Sequence, residues 1–489
     1  MLNSIRYFEE ECINRFEKLE DQFLKHPDQL AEYVLGLTAE LHQLGLKMIQ
    51  ESLEMMNRML IESPIRRRDW VVEAHIRKQL ITSLGTVAFK KTLFTNKHTG
   101  ESSYLIDRIL GLGKHERMTE DAQALLFQEA VQTSYRRGGE GCSLTAEVSR
   151  QTVKNKIHQL EFPPEKESPF RKKEVEYLYI DADEDHISLQ FRKEKGDLVE
   201  NENHQKNNCL LAKLIYVYEG IEKEAPKSKR HRLVNPHYFC SVNTGKGNEE
   251  FWDEVYEYLD SRYDLKKVKR IYLNSDGGGW IRSGMKRIAG IVHVLDEFHL
   301  EKYLTRLTSH MKDSRWDAAD ELRRMIRRGT KKEFKELADC LKGYLQKEEN
   351  VRRIDEAAEY ILSNWTAARL RLRHKEGVVG SSTEGYISHV LASRMSSRPM
   401  GWSICGAEKM ARLRAYHLNG GDMLELVRYQ ERALPKAAGA EETYITTREI
   451  LNSEKNRHRQ VGKYMESISH SISLETKKKL YFNTHIWGL

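Results

Sequence analysis

Acidic residues at separated places along the chain have the types and settings that divalent-metal chemistry on phosphodiesters requires. The run DADED carries Asp181, Asp183 and Asp185 inside an apolar, strand-like stretch, VEYLYIDADEDHISLQF (175–191). Side chains alternate along a strand, so all three carboxylates share one face while the strand lasts. Asp276, 93 residues beyond Asp183, ends a second apolar stretch, VKRIYLNSDGGGWI (268–281), just before Gly277, Gly278 and Gly279. Carboxylates forced together repel unless a cation lies between them. An all-oxygen ligand set suits Mg²⁺, with Mn²⁺ as an alternative. Two such ions can make a nucleophile from water or a 3′-hydroxyl and stabilise the leaving oxygen of a phosphodiester. Glycines after the acid let the backbone turn tightly and a phosphate come close. Either string alone is also an ordinary solvated turn; the pairing of acids on correctly ordered strands carries the reading.

A third ligand is required, and Glu384 in VVGSSTEGYISHVLASRMSSRPMGWS (378–403) supplies it. Ser381, Ser382 or Thr383 can cap a helix with Glu384 in its first turn and Ile387, Leu391 and Met395 on one face. A carboxylate there also suits the helix dipole, so capping is its alternative role. Residues 361–420 hold nine lysines and arginines against three glutamates, a local excess that suits a passing strand of phosphates or a solvated basic face. Asp296 and His299, in VLDEFHL, could act as an accessory ligand pair or as a helix cap with a satisfied histidine.

These residues must be held by a recognisable order of elements. Strand-like segments at 175–191, 209–220 and 237–244 precede an amphipathic helix at 249–263. A strand at 268–281, a helix near 282–290 and a strand at 291–300 follow. This is the order of an RNase-H-like α/β domain, whose first and fourth strands are adjacent and parallel. The charged helical stretch 301–376 interrupts it as an insertion, and 377–419 completes it after a first part spanning 175–300. The N-terminal region 1–64 reads as helices. Region 65–162 reads as a hairpin over 80–94, a short helix in SSYLIDRILGL, a helix at 119–135, a break at RRGGEG (136–141), and a helix capped by Ser149. In that last helix Val153, Ile157 and Leu160 form the inward stripe, leaving Arg150, Gln151, Lys154 and Asn155 outward. The pattern fits the second helix of a helix-turn-helix, and equally an ordinary basic surface helix. Proline-rich 163–174 reads as a linker, and 420–489 as a polar tail. The expected fold class is therefore multidomain α+β/α/β: a mainly helical DNA-binding region, then an RNase-H-like mixed sheet interrupted by an all-helical insertion.

Composition agrees without deciding. With 489 residues, 39% hydrophobic and 31% charged, the chain can fill several cores, and a net charge of +7 fits a nucleic-acid partner. Six scattered cysteines without CxxC spacing suggest neither a zinc knuckle nor a disulfide framework. A charged N-terminus and the lack of a long apolar run point to a cytoplasmic protein with no membrane partner.

The segments LYIDADEDHISLQ, IYLNSDGGGWI, VHVLDEFHLEKYL and STEGYISHVLASRMSSRPMGWS together resemble the ISLre-type (ISLre-two) insertion-sequence transposases, which are RNase-H-like DDE enzymes. SRQTVKNKIH and SYLIDRILGLGKHERMT resemble the N-terminal half of the same family, so the likeness spans most of the chain. It implies a catalytic and metal-binding triad of Asp183, Asp276 and Glu384, with Asp181 as the fallback within DADED and Asp296 and His299 as accessory groups. It further implies two Mg²⁺ ions, double-stranded DNA as substrate and target, a nucleoid-associated location, and a homodimer or larger synaptic complex. Arg150, Gln151, Lys154 and Asn155 would then contact terminal inverted repeats, while Arg394, Arg398 and Trp402 would hold the DNA backbone or a flipped or terminal base. The rival expectations are another RNase-H-like nuclease of resolvase type and a catalytically inactive DNA-binding derivative.

Overall fold

The computed structural model describes residues 3–113, 115–164, 171–190, 208–345, 348–374, 377–380, 383–398 and 400–433. The chain divides into two compact units. One runs up to Ala130 and adds Tyr135–Val153; the other comprises Val131–Ser134 and Lys154–Tyr429. The whole is a multidomain α+β protein.

In the first unit a long helix, α1 (Leu30–Glu62), lies against a hairpin of β1 (Trp70–Ile81) and β2 (Thr86–Asn96). Leu53 and Leu60 of the helix share a core with Leu80, Val87, Phe89 and Phe94 of the hairpin and with Leu105 and Ile106. The buried Asn57 side chain accepts a hydrogen bond from the Thr92 amide at 3.1 Å, satisfying a polar group that burial would otherwise penalise. The hairpin is longer than its apolar run suggested. Its turn falls at Thr82–Gly85, and NKHTGE instead leads into the two-residue strand Ser102–Ser103.

Helices α2 (Glu120–Gln132), α3 (Tyr135–Glu140) and α4 (Arg150–His158) follow. The RRGGEG stretch, expected as a break, is largely α3. A Cβ on Gly138 would stand 2.7 Å from that of Ala130, and one on Gly139 would stand 2.2 Å from the Val148 carbonyl oxygen, so these glycines serve close packing. Ser149 caps α4, its Oγ accepting from the Thr152 amide at 3.2 Å, and Val153, Ile157 and Leu160 are buried.

The second unit is built on a five-stranded sheet. Its strands are β3 (Tyr177–Ser188), β4 (Cys209–Tyr218), β5 (His237–Ser241), β6 (Arg270–Ser275) and β7 (Ile291–Leu295), in the order β7-β6-β3-β4-β5. β3 pairs parallel with β6 and β6 with β7, whereas β4 is antiparallel to both its neighbours. Helices α5 (Gly247–Arg262) and α6 (Gly279–Arg287) cover one face. Leu178, Ile180 and Ala182 of β3 pack there with Phe251, Trp252, Val255 and Leu259. The period of two then sends Tyr179, Asp181 and Asp183 to the opposite face.

The segment after β7 is all helical: α7 (Glu297–Thr308), α8 (Arg315–Arg328), α9 (Lys331–Lys342), α10 (Glu348–Ser363) and α11 (Trp365–Arg373). These helices bury a core of their own around Leu304, Leu322, Phe334, Ile354 and Ile361. Thr330 and Glu333 form a capping box that starts α9. The chain then returns through α12 (Thr383–Ile387), which packs against β3, to α13 (Ile404–Leu418) on β5 and α14 (Met423–Ala433). Of the expected linker, 165–170 lies outside the described residues, as does the tail from 434. Lys173 bonds to the Arg262 carbonyl and so already belongs to this unit. Among the described residues, no helix is long and apolar enough to cross a membrane.

Candidate functional site

Sheet register sets the geometry. Asp181 on β3 lies beside Asn274 on β6, so Asp183 and Asp276, each two residues further, stand level just beyond the last paired residues of the two strands. Ser275 pairs with Leu295 on β7, and the Asp296 amide donates to the Ser275 carbonyl at 2.9 Å, which brings Asp296 level with Asp276. Three acids thus sit level where the parallel pairing of β3, β6 and β7 stops: Asp276 and Asp296 just past the ends of β6 and β7, and Asp183 within β3, which runs on to Ser188 beside β4.

Asp181 and Asp183 have different environments despite their spacing. Asp181 is fully buried. Its Oδ1 accepts from Asn274 Nδ2 at 2.6 Å and from the Tyr218 hydroxyl at 3.1 Å, and its Oδ2 from the Tyr216 hydroxyl at 2.7 Å. Burial pushes its pKa up to about 6 against the lowering effect of those donors. Arg371 of α11 continues the network, donating to Asn274 Oδ1 at 2.6 Å, the Leu295 carbonyl at 2.9 Å and the Val379 carbonyl at 2.5 Å. Asp181 is therefore a tied structural acid beneath the strand ends. Asp183 is 8% exposed and accepts only from the neighbouring Glu184 amide at 2.9 Å among the hydrogen bonds of the described residues. Burial, reinforced by the charges of Asp276 and Asp296, drives its carboxyl up to about 7, while the Glu184 amide and His299 pull the other way.

Asp276 is half-buried. Its Oδ1 accepts from the Gly278 amide at 2.8 Å, and its own carbonyl accepts from the Tyr360 hydroxyl at 2.7 Å. Gly277 has φ +84°, and a Cβ there would stand 2.5 Å from Asn364 Oδ1, so the turn demands glycine. A Cβ on Gly279 would meet nothing within 4 Å, which leaves the start of α6 open to an approaching group. Asp296 is the N-cap of α7, accepting from the His299 amide at 3.1 Å and lying 3.2 Å from His299 Nδ1. Burial lowers the His299 pKa, but Asp296 at hydrogen-bond distance, then Asp183 and Asp276, raise it beyond that, and the net shift is upward.

Asp185 continues the acidic face of β3, and its buried Oδ2 finds no hydrogen-bond partner among the described residues. Glu184, on the other face, accepts from Trp280 Nε1. The backbone of Glu384 is in α12, the helix packed on β3; its side chain lies outside the described residues. Among the described residues no three His, Cys, Asp or Glu side chains converge as a ready metal cage. What is present is an all-oxygen donor set whose charges penalise one another. That fits a hard divalent cation as counter-charge better than any soft metal.

Two expected DNA contacts need correction. Arg394 and Trp402 are 4% and 5% exposed; the guanidinium stacks 5.0 Å from the indole ring, and Trp402 Nε1 donates to the Met395 carbonyl at 2.9 Å. Trp402 also extends the end of β3 through backbone bonds with Ser188 and Gln190. They are packed framework, because a buried guanidinium and indole meet their partners inside the protein. Arg398 is exposed, as are Arg150, Gln151 and Asn155, with Lys154 half-buried. The basic excess of 361–420 is likewise partly internal: Arg371 is buried, and buried Arg414 donates to the Val390 and His389 carbonyls, each at 2.6 Å. Sequence reading missed Asn274, Tyr216, Tyr218, Tyr360, Arg371 and Arg414. Asn274 could have been found, since it lies two positions before Asp276 on the same face of a strand; the others depend on tertiary packing.

Residues 24–433 match the model of the Uncharacterised protein family (UPF0236). The chain belongs to the UPF0236 family. A UPF0236 protein of Caldanaerobacter subterraneus subsp. tengcongensis, whose name joins eleven locus designations, is 34% identical over 429 residues, covering 87% of this chain and 85% of its own. A second UPF0236 protein of that organism, named for four loci, is 33% identical over 426 residues, with 87% and 85% covered. A UPF0236 protein of Streptococcus gallolyticus, named for its place in a vanSb 3′ region, is 26% identical over 455 residues, with 89% and 91% covered.

Proposed function

We propose that this UPF0236 protein is a DNA transposase of a bacterial insertion sequence, built on an RNase-H-like DDE catalytic domain. The observation that carries the reading is the register that levels Asp183 with Asp276 on adjacent parallel strands, in a sheet ordered 5-4-1-2-3 by sequence with only the second strand reversed. This is the strand order expected of an RNase-H-like domain. The Caldanaerobacter relative named for eleven loci supports it from another direction, since a gene that moves leaves repeated copies in one genome.

In this reading Asp183 and Asp276 hold two Mg²⁺ ions together with Glu384. When bound, the ions supply an activated water or 3′-hydroxyl and charge stabilisation at the leaving oxygen. The protein's own contribution is positional. The Asp181–Asn274–Arg371 network ties β3 to the end of β6. Gly277 and Asn364 set the turn that aims Asp276, and Asp296 caps α7 and holds His299 facing the acids. The open start of α6 at Gly279 lets a phosphate approach, and the exposed Arg398 is the proposed contact to the DNA backbone. Arg150, Gln151, Lys154 and Asn155 on α4 are the proposed contacts to terminal inverted repeats.

The deciding experiment is strand transfer by the full-length protein with a precleaved element end and a target duplex in Mg²⁺. Joined product from the wild type, absent with Asp276→Asn while end binding persists, is the expected result. Nicking without joining would instead favour a resolvase-type nuclease, and joining by an Asp183→Asn, Asp276→Asn double variant would overturn the assignment.

A further inference from the structure

Within the first unit, one face of the β1–β2 hairpin and the chain from Ser102 to Arg117 enclose a hollow of about 920 Å³. Its wall is basic: Arg77, Lys78, Lys91, Arg108, His115 and Arg117 line it, against Asp107 and Glu116. Lys78 and Lys91 come from adjacent strands, and their side chains are 9% and 8% exposed. Both ammonium groups pair with the single carboxylate of Asp107, Lys78 at 3.1 Å. Two nearly buried cations therefore share one anion. A buried charge without a full counter-charge is costly. The Tyr104 ring, its centroid 3.7 Å from Lys91 Nζ, offsets part of that cost, and the two cations still outnumber the one carboxylate they touch beside a hollow large enough for a ligand. Arg108 bonds Glu101 at 3.1 Å and lies 5.8 Å from the Trp70 ring, so it is held in place at the wall. Arg77 and Arg117 are exposed at the hollow.

We propose that this hollow is a phosphate-binding site, with Lys78 and Lys91 supplying the buried charge and Arg77 and Arg117 the forked donors. Arginine presents planar, bidentate donors to phosphate, and an anion placed here would complete the neutralisation that Asp107 begins. Taken with the transposase reading, the phosphate is one of a DNA backbone, and the hairpin unit grips DNA at a point separate from α4. A free phosphate or phosphorylated small molecule would satisfy the same chemistry.

The test uses the full-length protein and two probes: inorganic phosphate, followed by its effect on thermal unfolding, and a mixed-sequence duplex, followed by fluorescence anisotropy across a salt series. Arg77→Gln/Arg117→Gln changes two exposed side chains, and Lys91→Met tests the buried charge. The double variant should bind duplex ~10-fold more weakly at 0.1 M salt, with a log–log salt slope shallower by about two. Stabilisation by phosphate in the wild type, lost in both variants, without any duplex effect would keep the anion site and assign it to a free phosphate. Unchanged duplex binding in a folded double variant, together with no phosphate-dependent stabilisation of the wild type, would overturn the proposal. Strand transfer measured on the same wild-type protein separates the two readings: phosphate or duplex binding that depends on these side chains while no joined product forms keeps the anion site and sinks only the transposase reading.

Discussion

Asp181 and Asp183 differ by two positions on one strand, yet their substitution should have opposite effects on stability. Asp181→Ala removes the acceptor for Tyr216, Tyr218 and Asn274 in a site without water access. Each stranded donor costs about 1–3 kcal/mol, so a clear fall in melting temperature is expected. Asp183 behaves differently because its carboxyl is pushed up to about 7. A carboxyl whose folded pKa lies above its unfolded value of about 3.9 favours the folded state only while protonated. Its contribution is thus fully present below about pH 4 and is lost as pH rises towards 7. In chelator, Asp183→Asn should melt higher than the wild type at pH 8, by an amount on the order of a few kcal/mol, and the gap should close near pH 4. Adding Mg²⁺ should raise the melting temperature of the wild type more than that of the variant. A variant that melts lower than the wild type at pH 8 in chelator would show that Asp183 is not a repelled acid. Alternation alone places both residues on one face, and the sequence preferred Asp183 only through the family resemblance, with Asp181 as fallback; the tyrosines of β4 and the register with Asn274 give the two different surroundings.

At the scale of elements, the decisive feature is the turn between β6 and α6. Gly277 combines a left-handed backbone with a Cβ position that overlaps Asn364, whereas Gly279 has open space. Gly277→Ala should therefore cost about 1–3 kcal/mol and displace Asp276, lowering both melting temperature and joining. Gly279→Ala should leave the melting temperature within error, so any loss of joining there reports a blocked approach to the site; equal stability losses in the two variants would contradict this account of the turn. The SDGGG string advertised a tight turn but not which glycine is obligatory. Elements with strong periodicity were legible: the stripe of Val153, Ile157 and Leu160, the strands β3, β4 and β5, and the charged helices after β7 form as their patterns require. The strands expected over 268–281 and 291–300, by contrast, stop at Ser275 and Leu295, and helices begin at Gly279 and Glu297. Less legible were α3, where glycines permit close packing instead of breaking the helix, and the start of β1, whose exposed residues lack alternation. Arg394 and Trp402 were misassigned for a related reason, since cation and indole bury each other and a charged side chain in sequence looks exposed.

Across the whole molecule, acids on or just past β3, β6 and β7 converge, and the described residues hold one such centre. On the proposed transposase reading the element has two ends, so concerted joining would need two centres and hence at least two chains, which closed symmetry most simply provides as a dimer. Mixing wild-type chains with Asp276→Asn chains at equal amounts should therefore reduce concerted two-ended joining well below half of the wild-type level, because only pairs with two intact centres complete it; random pairing leaves about a quarter of dimers intact. Total joined ends should fall only to about half, since each centre would act on its own end, and the mixed pairs should shift the remaining product towards single-ended joining. The two products are separable by gel from one reaction, with end duplexes present before mixing so that subunits assemble on DNA together. If both products fell to half, each chain would act alone and the paired-complex reading would fail. If neither product formed with any protein, the loss would lie in the catalytic assignment itself, and phosphate or duplex binding by the hairpin unit would remain as a separate property of the chain.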